Sequence, residues 1–284
     1  MPDMGNDARV WFITGTSSGL GRAIADAVLA RGERVVATAR DPQTVKDLVE
    51  RAPERVRAVA LDVTDPAQVA AAVATAIEEF GRIDVLVNNA GHGLLGALEE
   101  LSDEQINAVL STNVLGVIAV TQAVLPHMRA RRSGHIVQMS SVGGVCGNPG
   151  HAIYATSKFA LEGMSEALAG EVAPLGIRVT IIEPGPFRTE FAGRSMRFAD
   201  PIDDYRETPA GALRKRFSAQ DGAQPNDPVK AAEAIIRAVD EEDSPLRLPL
   251  GPEAVERIRR KLQGQLADLE RWEQVSLDTR YSPA

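Results

Sequence analysis

The chain has 284 residues, 44% hydrophobic and 25% charged, with a formal charge of −8. That is ordinary for a globular protein with a sizeable core, and the acidic balance and 4% aromatic content argue against nucleic acid or an anionic membrane as a partner. Cys146 is the single cysteine, so no intrachain disulfide is possible, and MPDMGNDARVW lacks the basic and apolar regions of a signal peptide; with no unbroken run of roughly 18 apolar residues, the expectation is a cytoplasmic protein that spans no membrane.

Short β-rich runs alternate with longer helical stretches. RVWFIT (9–14) predicts a first strand, and GLGRAIADAVLARG (19–32) a helix closed by glycine. RVVATA (34–39) is a second strand, followed by Asp41-Pro42, an N-cap with proline at the first helical position. VRAVALDV (56–63) is a third strand; Asp65-Pro66 repeats the cap signal before a helix that runs to Phe80-Gly81. IDVLVNNAG (83–91) is a fourth strand, and one helical stretch spans about Asp103 to Arg131. HIVQMSS (135–141) is a fifth strand, 151–173 a helix, and IRVTIIEPG (177–185) a sixth strand stopped by Pro184-Gly185. Residues 186–225 read as irregular. Asp227-Pro228 caps a helix to about Val239, LRLPL (246–250) offers a seventh strand, and a charged amphipathic helix covers about 252–275.

Strands rich in Val and Ile without polar alternation are buried on both faces, as in a parallel sheet. The expected fold is therefore an α/β doubly wound parallel sheet, the Rossmann fold, with about seven strands and helices on both faces. Nothing divides the chain, so 1–284 reads as one domain with a substrate-facing insertion near 186–225 and a C-terminal helical extension.

T-G-T-S-S-G-L-G (14–21) joins the first strand to the first helix. Gly15 permits a tight turn, Gly19 lets backbone approach a phosphate, and Gly21 allows close helix–strand packing. A pyrophosphate would rest on the helix N-terminus, where free N–H groups and the dipole favour an anion. A site for NAD usually carries Asp or Glu after the second strand; here that strand ends Ala39-Arg40. Arg40 can pair with a 2′-phosphate bidentately, and Ser17 can add a hydroxyl donor, so NADP(H) is expected over NAD(H). The alternative is that Arg40 is a solvated loop residue. Asp62, ending the third strand, is placed to accept from an adenine amino group.

Ser141 ends the fifth strand, and Tyr154 and Lys158 share a face of the next helix. Reducing a ketone by hydride transfer builds negative charge on oxygen, which needs a proton donor and a hydrogen-bond donor. A free phenol with pKa about 10 is poorly matched to neutral pH. A cation within about 4–6 Å lowers that value, so Lys158 is expected to make Tyr154 useful as acid and base, while Ser141 polarises the substrate oxygen.

With these motifs in order, the chain resembles a short-chain dehydrogenase/reductase over about residues 9–250. The resemblance rests on Thr14–Gly21, on Asn88-Asn89-Ala90-Gly91, on Asn113 in S-T-N-V, on Ser141, Tyr154 and Lys158, and on Pro184-Gly185 with Thr189. It implies that Asn88–Gly91 stabilises the sheet and lines the cofactor site, that Asn113 bends its helix and holds a proton-relay water, that Lys158 bonds the nicotinamide ribose, and that Thr189 bonds the carboxamide. The implied catalytic set is Asn113, Ser141, Tyr154 and Lys158. The implied cofactor set is Gly15, Ser17, Ser18, Gly19, Leu20, Gly21, Arg40, Asp62, Val63, Asn89, Ala90, Gly91, Tyr154, Lys158, Pro184, Gly185, Phe187 and Thr189. GLLGALE (93–99), SVGG (141–144) and KFALEG (158–163) are similar to the 17β-hydroxysteroid and retinol dehydrogenase branch. Relatives of this kind form homodimers or homotetramers.

The four histidines show no metal-ligand spacing, and no metal is expected. His127 and His135 read as surface residues, whereas His92 and His151 fall near the predicted cleft. Cys146 could line the pocket but has no base paired with it. Phe187, Phe191, Met196, Phe198 and Tyr205 either anchor a lid over an apolar ketone or simply pack the insertion down. Arg188, Arg194 and Arg197 either bind a substrate anion or stay solvated. The C-terminal helix either covers the cleft, mediates assembly or packs on the body. The expected activity is an NADP(H)-dependent oxidoreductase acting on a hydrophobic ketone or secondary alcohol. The alternatives are a non-catalytic NADP(H)-binding regulator and a sugar-nucleotide epimerase or dehydratase.

Overall fold

The computed structural model describes residues 8–219 and 222–281; most of the N-terminal segment read for a signal peptide lies outside the described residues. The elements follow in chain order as β1 (Val10–Ile13), α1 (Gly19–Ala30), β2 (Arg34–Ala39), α2 (Lys46–Arg51), β3 (Val56–Ala60), α3 (Pro66–Phe80), β4 (Val85–Asn88) and β5 (Gly93–Leu95). Then come α4 (Asp103–Leu110), α5 (Val117–Arg131), β6 (Gly134–Met139), α6 (Ala152–Val172), β7 (Ile177–Pro184), β8 (Met196–Phe198), α7 (Pro209–Ala219), α8 (Pro228–Asp240), β9 (Arg247–Leu250) and α9 (Pro252–Leu277).

Alternation along β1 sends Trp11 and Ile13 into one core and Val10 and Phe12 into the other, all fully buried. Burying each such side chain contributes about 1.5–3 kcal/mol. The seven-stranded sheet runs β3-β2-β1-β4-β6-β7-β9 with every neighbour parallel. Helices α1, α2 and α8 cover one face, and α3, α5 and α6 the other. Strand order reverses between β1 and β4, so a crevice opens there at the carboxyl ends. The cap signals act as read: Asp65 accepts from Ala67 N at 2.9 Å, Gly81 ends α3 with φ 74°, and Asp227 accepts from Val229 N at 2.8 Å. After Asp41 the chain first makes one 3₁₀ turn, Pro42–Val45, before α2.

Three expectations need correction. The single helix from Asp103 to Arg131 is α4, a π-helical turn over Ser111–Gly116, and α5. Gly116 presses on Val63, where a Cβ would come within 2.6 Å of a methyl. This stretch is also long and apolar enough to cross a membrane by length and composition, because no charge falls between Glu104 and Arg129. Its inward residues Val109, Val120, Val124 and Met128 are nevertheless fully buried in the protein. The insertion is not irregular: β8 pairs in parallel with β5, and α7 packs Leu213 and Phe217 against Leu95 and Met196. Finally, His135 is not at the surface. It is 1% exposed, with Nε2 2.9 Å from Thr180 Oγ1. Burial, aided by the charges of Arg178 and Arg9, pushes it down to about 3, so it is a neutral core residue.

The amino-terminal edge of the sheet is held by a buried carboxylate. Asp84 Oδ2 accepts from Val10 N at 2.9 Å, and Oδ1 accepts from Arg82 at 2.6 Å and Arg131 at 2.9 Å. Burial alone would raise this carboxyl, but bonds from Arg82, the Val10 N–H and Arg131 outweigh it and hold it below the usual range. Asp84→Ala should therefore cost about 2–4 kcal/mol in urea unfolding at pH 7, from a stranded amide and two unpaired cations. A lowered folded pKa gives stability that is complete above the unfolded value of about 4. The difference between native and variant should shrink as pH falls through and below that value; a pH-independent difference would contradict this account.

Candidate active site

The cleft at the carboxyl ends of the strands encloses about 870 Å³. Its floor at one end is the turn between β1 and α1. Gly15 and Gly19 adopt φ of 71° and 61°, the left-handed region open to glycine. A Cβ on Gly21 would strike Asn89 Nδ2 at 2.3 Å and Gly15 O at 2.4 Å. The Asn89 carboxamide explains the crowding: Nδ2 donates to Thr14 O and Gly15 O, both at 2.9 Å, and staples the loop to the end of β4. Thr14 Oγ1 accepts from Asn89 N and Ala90 N at 2.9 Å. Asn88 points into the sheet, donating to Thr121 Oγ1 at 2.9 Å and Gln138 Oε1 at 3.0 Å. Ser18, the residue before α1, makes no side-chain cap bond, so the first N–H groups of α1 are left for an anion. This glycine cradle and uncapped helix start fit a dinucleotide pyrophosphate.

Every residue expected to touch a cofactor lines this cleft except Gly21, which lies beneath it as packing. Arg40, Asp62 and Val63 form one end. Asp62 Oδ1 already accepts from Thr64 N at 2.9 Å and Thr64 Oγ1 at 2.7 Å, which fixes its orientation. The carboxylate next to Arg40, Asp41, is turned into its own cap, accepting from Gln43 N at 3.0 Å.

Ser141, Tyr154 and Lys158 converge at the other end. Ser141 caps a 3₁₀ turn, its Oγ accepting from Gly143 N at 3.0 Å, and the Tyr154 ring packs beside Gly143. Lys158 Nζ donates to Met139 O at 2.7 Å and lies 5.9 Å from the centre of the Tyr154 ring. Asn113 does not line the cleft. It is fully buried in the π-helical turn, where Nδ2 donates to His92 O at 2.9 Å and Ser157 Oγ at 3.1 Å, and Oδ1 accepts from His92 N at 3.1 Å. It ties the end of β4 to α6, and the extra residue in the turn is what carries its side chain inward.

The electrostatics correct the simple picture of a cation acidifying a phenol. In the polypeptide itself burial wins: it pushes Tyr154 up to about 12, and the neighbouring Ser141 hydroxyl pulls it only part of the way back. Burial likewise pushes Lys158 down to about 8, with Glu162, one turn further on, opposing. Glu162 and Glu183 form a buried pair behind Lys158 that the sequence reading missed. Arg247 lies 3.0 Å from the former and 3.7 Å from the latter, and burial plus the Glu162 charge pushes Glu183 up to about 7.

Around the phenol, His151 lies 5.3 Å from the Tyr154 ring and edge-on to Phe217 at 5.0 Å, and Phe191 is 5.9 Å from Tyr154. Burial, then the Arg216 and Arg257 charges, push His151 down to about 4. His92 also faces the cleft and is lowered by burial and by Arg197. Phe187 and Phe191 line the space, whereas Met196 packs under the insertion, Phe198 does not reach the cleft and Tyr205 bonds Glu99 at 2.8 Å. Arg194 and Arg197 line the mouth; Arg188 instead donates to Gln224 O at 3.1 Å. Arg216 and Phe217 of α7, with Glu253 and Arg257 of α9, complete the wall and carried no motif that could announce them. Cys146 is outside the cleft, packed with Val142, Ala254 and Ile258, and burial raises its thiol. Among the described residues no cluster of His, Cys, Asp or Glu could hold a metal.

Comparison with known proteins gives a consistent result. Residues 9–199 match the short chain dehydrogenase family. The chain is 43% identical over 270 residues to oxidoreductase BOA17 of Botryotinia fuckeliana, covering 95% of this chain and 98% of that one. It is 38% identical over 247 residues to 3-ketodihydrosphingosine reductase of Bacteroides thetaiotaomicron, covering 86% and 88%. Among solved structures, a short-chain dehydrogenase from Streptomyces avermitilis superposes with TM-score 0.92 at 44% identity, covering 98% of this chain and 100% of that one. A short chain dehydrogenase/reductase from Burkholderia phymatum in complex with NAD gives 0.79 at 26% identity, covering 98% of each chain. ElxO with NADP bound gives 0.72 at 26%, covering 88% and 99%.

Lys158 is a buried ammonium with a folded pKa below its unfolded value of about 10.4, so its burial costs stability below about 8 and the cost fades as pH rises between the two. Lys158→Met should therefore raise the thermal midpoint at pH 6–7 by a few degrees, with the gain shrinking toward pH 10. A midpoint lowered at every pH would show that the Met139 bond outweighs desolvation.

Proposed function

The chain belongs to the short-chain dehydrogenase/reductase family and is an NAD(P)-dependent oxidoreductase, and on that premise we propose that it moves hydride between NADP(H) and an apolar ketone or secondary alcohol. One observation carries the proposal: Ser141, Tyr154 and Lys158 meet in the same cleft whose other end is the glycine cradle. The nicotinamide nucleotide supplies or accepts the hydride. Ser141 Oγ donates a hydrogen bond to the substrate oxygen and holds it beside the phenol. Tyr154 gives its proton to that oxygen in reduction and takes it back in oxidation. Lys158, released from Met139 O, stabilises the phenolate and reaches toward the cofactor ribose. Asn113 positions this set by fixing α6 against the end of β4.

Three features support the choice of NADP(H). Arg40 lines the cleft after β2 and has no ion-pair partner among the described residues; the carboxylate next in sequence, Asp41, is engaged in its own cap, and Asp62 is held by Thr64; and Ser17 lines the same cleft. For the substrate, Phe191, Phe217 and Val142 offer apolar walls near Tyr154, which agrees with the motifs shared with the 17β-hydroxysteroid and retinol dehydrogenase branch. Arg197 and Arg216 line the cleft together with Arg194, which is paired with Glu190 at 3.0 Å, so an anionic group remote from the carbonyl would be well received. We read the chain as a single domain in which the described part of the 186–225 insertion forms a lid. The relatives are oxidoreductases, which leaves the regulatory and the epimerase or dehydratase readings without support.

NADPH oxidation should be measured with steroids, retinal, aromatic ketones, quinones and β-ketoacyl esters, with and without a carboxylate. Tyr154→Phe should lose about 10²–10⁴-fold in turnover while its nucleotide Kd stays near the native value; native turnover would sink the proposal. Arg40→Ala should lower kcat/KM for NADPH by about 10- to 100-fold and leave NADH little changed. A native enzyme that prefers NADH would refute the cofactor assignment.

A further inference from the structure

Only the root of α9 belongs to the body of the protein. Ala254 and Ile258 are buried against Val142 and Cys146, and from Arg259 to Tyr281 every residue is exposed. Along this projecting helix Leu262, Leu266, Leu269, Trp272 and Val275 are each more than half exposed. At 3.6 residues per turn Leu262, Leu266 and Leu269 share the face of Val255 and Ile258 as one apolar stripe, and Trp272 and Val275 carry apolar surface round the helix from it. A glycine, Gly264, sits in the middle, where an added Cβ would meet nothing within 4 Å. A lone helix with an uncovered stripe and an internal glycine has little to hold it in water.

The charges are segregated along the same helix. From Pro252 to Gln263 there are four basic residues, Arg257, Arg259, Arg260 and Lys261, against Glu253 and Glu256. From Gly264 to Asp278 there are four acidic residues, Asp268, Glu270, Glu273 and Asp278, against Arg271. Within the helix only Glu256 is ion-paired, to Arg259 and Arg260, and the acidic end has no ion-pair partner among the described residues. The complement to a helix that is basic first and acidic last is the same helix reversed.

We propose that α9 is the interface with a second copy of this chain, the two helices packing antiparallel across a two-fold axis near Leu266. The stripes then cover each other, and each basic start lies against the acidic end of its partner. Parallel packing would set like charges side by side. A two-fold axis makes the contact self-complementary and closed, so it ends at a pair. The first turns of the same helix place Glu253 and Arg257 in the cleft wall, so the pair also steadies that wall.

Cysteine cross-linking tests the geometry, with the native chain, whose one thiol is buried, as background. Under mild oxidation Leu266→Cys should give mostly disulfide-linked dimer. Ser276→Cys should give little, because antiparallel copies of that position lie about 30 Å apart. In sedimentation equilibrium the double variant Leu269→Glu, Trp272→Glu should show half the native mass. Equal cross-linking at both positions would mean a parallel pair and overturn the proposal. So would an unchanged mass in the double variant, or a native chain whose α9 instead binds phosphatidylserine vesicles and never cross-links at 266.

Discussion

A lysine ammonium buried with a single backbone carbonyl, beside a buried tyrosine, is the arrangement on which the rest of this protein turns. Neither group gains from its position in the polypeptide alone: burial drives the phenol up to about 12 and the ammonium down to about 8. Such costs are carried by the surroundings. The long α6 fixes both side chains, Asn113 pins that helix to the end of β4, and the β6 carbonyl of Met139 gives Nζ its bond. In the reaction proposed above, proton exchange with a substrate oxygen would then depend on charge that arrives with the reactants.

The architecture explains how remote segments reach one place. Each parallel strand delivers its carboxyl end to the same edge of the sheet, so the loops after β1, β2, β3, β4, β6 and β7 share one cleft although they span most of the chain. The Asn89 carboxamide, bonded to the glycine turn, ties the first of these loops to the fourth. The amino-terminal edge is left to structural work, with Asp84 and its arginines there.

Much of this was legible in the sequence, for physical reasons. Val- and Ile-rich strands between capped helices permit few other folds, and Asp65-Pro66, Gly81 and Asp227-Pro228 acted as the punctuation they appear to be. The site residues sit in local patterns whose spacing depends on backbone geometry. What was missed depends on tertiary contact. Three-residue β8 is too short for a period to show, and it exists because β5 offers it a partner. Arg216 and Phe217 reach the cleft only because α7 folds back over it. His135 looked like a surface residue because a polar ring on a central strand gives no sign that Thr180 will meet it. The balance at Tyr154 was misjudged because spacing reveals proximity and says nothing of desolvation.

The small β5–β8 ribbon links the two halves of the cleft mechanically. Gly93 begins only two residues after Gly91, and its N–H donates to Ser195 O at 2.8 Å. Between them His92 is gripped by Asn113 on both its N–H and its carbonyl. The ribbon and the glycine-cradle end of the cleft are thus joined by a short hydrogen-bonded stretch of backbone. Gly91 and His92 are the two residues that separate that ribbon from the end of the cleft lined by Asn89 and Ala90.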